Sequence, residues 1–245
     1  MKRTQSPAHA FLAAFACLLL SGSTGHAQGM GGNPSQAVSK ALSKLFGANA
    51  SFTADSEVEV DGPQKATMAM ALSFHQGKTR TEIDLTKMKS DSLPPGAAEQ
   101  MKAMGMDRVI SISDDKSPTA LILFPGMKSY VSLTNPGTGK QTTEPKIEES
   151  ALGKETVDGK EMVKQKITIS EADGKSTELT VWRAAAGEFP AVVEFNESGT
   201  KAKMKFKNVV KKTPDASLFT VPKDFEKFDS PQAMMMKKMM EKAGQ

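Results

Sequence analysis

The run Lys201-Ala202-Lys203-Met204-Lys205-Phe206-Lys207 puts a lysine at every odd position and an apolar side chain at every even one. A period of two excludes a helix, whose faces recur every ~3.6 residues, and describes a strand with one wet and one dry face. Turn residues from Asn196 to Gly199 precede it, after the β-rich run Ala191 to Phe195, so the pair reads as an antiparallel hairpin. A strand with one dry side needs neighbours patterned the same way.

The rest of the chain supplies them. Phe52, Ala54, Ser56, Val58 and Val60 alternate with Thr53, Asp55, Glu57 and Glu59. Met68, Met70, Leu72 and Phe74 share a face, as do Thr81, Ile83 and Leu85, and turns at 61–63 and 76–78 join these runs into a three-strand meander. Leu93-Pro94-Pro95-Gly96 then breaks the rhythm, and Ala97 to Met104, stopped by Gly105, predicts a short inserted helix. Strands resume at 108–113, 119–124 and 129–133, with a type II-like turn over Pro125 to Lys128. A polar loop covers 134–145, and Gly153 to Val157 leads into runs at 162–170 and 177–183. About ten strands with short connections form one antiparallel sheet, and a sheet that long curls.

Ahead of the sheet, Ala37, Val38, Ala41, Leu42, Leu45 and Phe46 recur at helical spacing between a Ser35 N-cap and Gly47. The fold class expected is mainly β (α+β): a strongly curved antiparallel sheet forming an open half-barrel. Aromatics are only 6% of residues, too few to fill a barrel, so the Ser35 to Phe46 helix and the inserted helix are expected over the concave face.

The ends are distinct. Lys2 and Arg3, the apolar run Phe11 to Leu20 and the small-residue site at Gly25-His26-Ala27 have the three parts of a secretory signal peptide over 1–27. Its apolar run is short of the about 20 residues that span a bilayer. The periplasm is the expected location, with a flexible leader at 28–34, a single domain over 35–228 and a Met/Lys-rich tail over 229–245. Cys17, the only cysteine, falls within the signal, so thiol chemistry leaves with it. Loss of Lys2 and Arg3 leaves 30 basic against 28 acidic residues, a balance that excludes a nucleic-acid footprint.

Four stretches in order resemble the LolA/LolB superfamily of periplasmic lipoprotein carriers, in particular a secreted LolA-like branch. They are Gly77 to Glu82; Ser113 to Lys116 with Phe124-Pro125 and Lys128 to Tyr130; Gly153 to Gly159; and Trp182 through Phe189-Pro190 to Leu218-Phe219-Thr220-Val221-Pro222. The resemblance implies a half-barrel whose apolar cavity is plugged by helices and takes acyl chains. It also implies a basic residue at the mouth, here Arg80, whose guanidinium meets lipid oxygens. Methionine largely replaces the family's cavity aromatics, and Asp115-Lys116 stands where the family has glycine after the hairpin aspartate.

No catalytic constellation is present. His75 is the one histidine left after signal removal and alone forms neither a triad nor a histidine metal site. The carboxylate pairs Glu57/Glu59, Asp114/Asp115 and Glu148/Glu149 read as solvated charge, and Asn135 to Lys140 departs from a phosphate loop at Thr134 and Gln141. The expectation is therefore a carrier, not an enzyme, with no cofactor, for a lipid or an acylated protein, its apolar face lined by Met68, Met70, Leu72, Phe74 and Ile83 with Arg80 at the mouth. A ligand-free envelope scaffold is one alternative. Another is Cu(I) binding by Met234, Met235, Met236, Met239 and Met240, since thioethers are soft ligands. The same tail, with its lysines, suits peripheral contact with a membrane surface.

Overall fold

A computed structural model describes residues 45, 46, 50–61, 65–91, 93–114, 117–134, 146–170, 174, 176–184, 189–197 and 200–243. The contacts divide the chain between Leu45 and Phe46. The expected signal peptide, the expected leader and all of the expected Ser35 to Phe46 helix except its last two residues lie outside the described residues.

Thirteen strands form one sheet. The first meander comprises β1 (Ser51–Asp61), β2 (Ala66–His75), β3 (Lys78–Asp84), β4 (Lys89–Ser90), β5 (Arg108–Asp114), β6 (Thr119–Phe124) and β7 (Ser129–Thr134). The second comprises β8 (Lys146–Val157), β9 (Lys160–Ser170), β10 (Ser176–Ala184), β11 (Pro190–Glu197) and β12 (Thr200–Val210), and β13 (Glu226–Phe228) follows. Two helices are described, α1 (Ala97–Ala103) and α2 (Pro231–Ala243). The order is β13-β7-β6-β5-β3-β2-β1-β12-β11-β10-β9-β8, with β4 paired to β2. The two meanders thus join where the lysine-alternating β12 pairs with β1.

This order forces curvature. β7 and β8 are ten strand spacings apart, about 48 Å across a flat sheet, whereas the chain from Thr134 to Lys146 extends to about 40 Å at most. The sheet curls into an open half-barrel whose edges β13 and β8 do not pair.

Register assigns the faces. Phe52, Ala54, Ser56 and Val58 stand opposite Phe74, Leu72, Met70 and Met68 on β2, and Val58 and Ser56 opposite Met204 and Phe206 on β12. All of these are buried except the half-buried Met70. The other face carries the lysines: Lys207 pairs with Glu57 at 2.8 Å, Lys205 with Glu59 at 3.2 Å and Lys201 with Glu194 at 3.0 Å. Lys203 instead lies 5.7 Å from the centre of the Trp182 ring, so three lysines of the row meet carboxylates of flanking strands and the fourth an aromatic face.

The lysine face is wet only in part. Ile110, Ile112 and Leu123 form a second core on it, packed against Leu121, Tyr130, Phe219, Val221 and Phe225. The last three belong to residues 211–225, which leave β12 and cross the sheet to place β13 parallel to β7. That crossing covers seven strand spacings, about 34 Å across a flat sheet, and the fifteen residues that make it include a 3-10 turn at Ala216–Phe219. The parallel β13 and the jump from β7 to β8 depart from the uninterrupted antiparallel meander expected from sequence. β6 carries the near-continuous apolar run Ala120 to Phe124 that a strand covered on both sides requires, while β5 alternates Ile110 and Ile112 with Ser111 and Ser113.

Local signals mostly hold. α1 falls within Ala97 to Met104, burying Ala97 and Met101. Gly105 follows at φ +72°, and a Cβ there would stand 2.9 Å from the Gly126 backbone, so the helix end packs main chain to main chain on the β6–β7 turn. That turn is a 3-10 turn over Pro125–Met127 with Lys128 at φ 46°, not the type II-like turn expected, because Lys128 and not Met127 takes the left-handed conformation. Ser230 caps α2, its hydroxyl accepting from the Ala233 N–H at 3.1 Å.

Candidate functional site

The dry face beneath β12, β1 and β2 is a phenylalanine cluster. Phe52 and Phe74, directly opposed on β1 and β2, stack with centroids 5.5 Å apart. Phe46 meets Phe52 edge-on at 4.6 Å and stacks on Phe189 at 4.6 Å, and Phe206 meets Phe189 at 5.5 Å and Phe46 at 5.9 Å. These offset and edge-to-face arrangements are the favoured aromatic geometries. The aromatic share looked too small to fill a barrel, but five of the twelve phenylalanines converge on one end of it.

The sequence candidates divide. Phe74 and Leu72 are buried, and Met68 is buried next to Val58. Met70 and Ile83 face each other across β2 and β3, and both are half-buried. A single cross-strand row therefore runs Phe206, Ser56, Met70, Ile83, Val109 over β12, β1, β2, β3 and β5. Within it only Met70 and Ile83 keep appreciable exposure. These two are the residues of the row that are open to contact.

Arg80 does not join them. It pairs with Ser73 and Ile112, on the lysine face, and its guanidinium contacts Glu82 at 2.8 Å with 14% of the side chain exposed. Glu82 also takes Arg108 at 3.3 Å. His75, on that face too, bonds Ser51 through Nδ1 at 2.7 Å and lies 6.4 Å from the Phe219 ring. It is half-buried.

The tail methionines separate. Phe228 stands in the dry-face row of Val131, Ile122, Ser111, Thr81 and Leu72. Lys237 sits 5.5 Å over the Phe228 ring and, with Lys238, pairs with Glu226. α2 therefore lies on the dry face at the β13 edge. Met234 and Met235 are buried, while Met236 and Met240 are 63% and 72% exposed, so these four sulfurs do not face one point. The side chain of Met239 lies outside the described residues. Glu226 is held below the ordinary carboxylate range chiefly by its hydrogen bond from Lys237.

No family model matches the chain, and no curated protein matches it. Solved structures do. An uncharacterized conserved protein from Thermus thermophilus aligns at 13% identity and TM-score 0.44, over 80% of this chain and 99% of that one. A LolA superfamily protein from Nitrosomonas europaea aligns at 10% identity and TM-score 0.34, over 76% and 96%. LprF from Mycobacterium bovis aligns at 14% identity and TM-score 0.36, over 80% and 100%. The chain is similar in fold to these proteins. At such identities the likeness concerns the course of the chain alone.

Two features escaped sequence reading. Phe189 and Phe46 were not among the candidates, because nothing in a local pattern brings together rings so far apart in sequence. Ser56 alternates in step with Ala54 and Val58 and was legible as a dry-face residue, but its surroundings depend on the strands that pair with β1. Among the described residues no group of His, Cys, Asp and Glu is placed to hold a metal, and no helix is long and apolar enough to cross a membrane.

Proposed function

We propose that this chain is a periplasmic binding or carrier protein for an apolar moiety, acyl chains of a lipid or of an acylated protein, held against the dry face of the half-barrel without catalysis. The observation that carries the reading is the pair Met70 and Ile83: opposed across two strands, half-buried, and continuous with the buried Phe206, Val109, Leu72 and Phe74 of the same face. Methionine gives such a surface an adaptable, polarizable lining. Each methylene moved from water onto it contributes about 0.8 kcal/mol, so a chain contacting only part of the row binds reversibly, as a carrier requires. The sequence resemblance to LolA and LolB carriers agrees with this reading.

The exposed Met236 and Met240, one helical turn apart on α2, support a second contact, with a membrane surface, that would bring the carrier to its cargo. Native mass spectrometry of the protein purified from its own source tests the whole. A lipid mass that Met70→Asp abolishes is the expected result. A bare chain supports the ligand-free scaffold instead, and a bound copper ion supports the methionine tail as a metal site; either one overturns the carrier reading.

A further inference from the structure

Two buried side-chain polar atoms have no hydrogen-bond partner among the described residues: Oγ of Ser56 and Nε of Arg183. Both lie on the dry face. Ser56 is 3% exposed and stands between Met70 of β2 and Phe206 of β12. Arg183 follows the buried Leu179 and Val181 at the next position on the same side of β10. The lysine face, with far more polar groups, contributes no such atom among the described residues.

A hydroxyl removed from water without a partner destabilises the fold that contains it. Alanine would fit between Met70 and Phe206 without that cost. The serine is accounted for if the missing partner arrives with a ligand, and its neighbours show where that ligand lies. Ser56 is one strand from Met70 and two from Ile83, in the same row, so a chain on those two side chains places its next atoms at the hydroxyl.

We propose that Ser56 is a ligand-contacting residue whose hydroxyl donates a hydrogen bond to an acyl carbonyl or carboxylate oxygen, so that the face takes an acyl chain bearing an acceptor oxygen and discriminates against bare hydrocarbon. This rests on the reading of the dry face as an acyl-binding surface and narrows it. The Nε–H of Arg183, further along the same face, is a second donor for the same chemistry, and a guanidinium is well suited to oxygen acceptors.

The test uses the full chain and three fluorescent probes: cis-parinaric acid, its methyl ester, and the hydrocarbon 1,6-diphenylhexatriene. Ser56→Ala is expected to lose about threefold to tenfold in affinity for the acid or the ester, the measure of one hydrogen bond. Binding of the hydrocarbon is unchanged, and Ser56→Thr, which keeps a hydroxyl, retains the preference. Loss on the acid alone assigns the oxygen to a free carboxylate, and loss on the ester as well assigns it to a carbonyl. Equal binding of all three probes by Ser56→Ala and the parent overturns the proposal and leaves the acyl-binding surface standing. A lower urea midpoint for Ser56→Ala also overturns it, since the hydroxyl would then have a structural partner. If the parent binds none of the probes, the acyl-binding surface fails, and the proposal with it.

Discussion

Replacing Phe74 with alanine is the sharpest test of whether the dry face is a packed core at its β1–β2 end. The ring is 1% exposed, stacks on Phe52 at 5.5 Å and lies 6.2 Å from Phe46. Phe→Ala in a close-packed interior costs about 3 to 5 kcal/mol, and the loss of two ring partners, each worth roughly 0.5 to 1.5 kcal/mol beyond area, puts this site toward the upper end, near 4 to 5. For a protein of this size about 1 kcal/mol moves Tm by roughly 2 to 4 °C, so a fall of more than about 8 °C is expected. Thermal melts followed by circular dichroism measure it, urea melts give the free energy, and a double-mutant cycle with Phe52→Ala should return a coupling of about 0.5 to 1.5 kcal/mol. A loss below about 1.5 kcal/mol with no coupling would refute the close packing, and the phenylalanines would then belong to an open, adaptable surface.

Other outcomes follow from the same geometry. Gly126→Ala should destabilise by about 1 to 3 kcal/mol in thermal melts, because its Cβ would stand 2.6 Å from the Gly105 carbonyl oxygen, a backbone atom that cannot rotate away. Met234→Ala should cost about 2 to 5 kcal/mol, while Met240→Ala, at an exposed position, changes the same melt by less than about 0.5 kcal/mol. Deleting 231–245 should lower stability yet leave the sheet's circular dichroism intact, since all thirteen strands precede it. The indole N–H of Trp182, the only tryptophan, donates to Glu155 at 3.1 Å. Glu155 is held below the ordinary value of 4.5, first by its hydrogen bond from Lys164 and then by Trp182. A lowered folded pKa gives stability that is present above 4.5 and lost as pH falls through the folded value; Trp182 emission should therefore hold steady down to about pH 4.5 and change below it, and Glu155→Gln should remove that acid-range step.

Legibility in the sequence followed burial. β1, β2 and β12 bury one face each, so their alternation was readable, and with it Met68, Met70, Leu72 and Phe74. β8 is exposed along nearly its whole length; with no face to hide, Lys146–Val157 carries no period and was not read as a strand. β13 is three residues long and owes its place to the crossing segment and not to any pattern of its own. The placement of Arg80 was recoverable by parity, since it alternates with Ile83 across an odd interval and so cannot share a face with it. The isolation of the Ser56 hydroxyl was not recoverable, because it depends on which residues of β2 and β12 come to rest beside it.

The crossing of residues 211–225 also orders events in time. The first meander is synthesised early, but one side of Ile110, Ile112 and Leu123 stays uncovered until Phe219, Val221 and Phe225 arrive near the end of the chain, and β7 waits as long for β13. A chain emerging from its N-terminus thus holds an unfinished apolar surface and an open strand edge until its last strand is made, the combination most prone to pair with the wrong neighbour. Truncation ahead of Phe219 should therefore give aggregation during production and not a smaller folded domain.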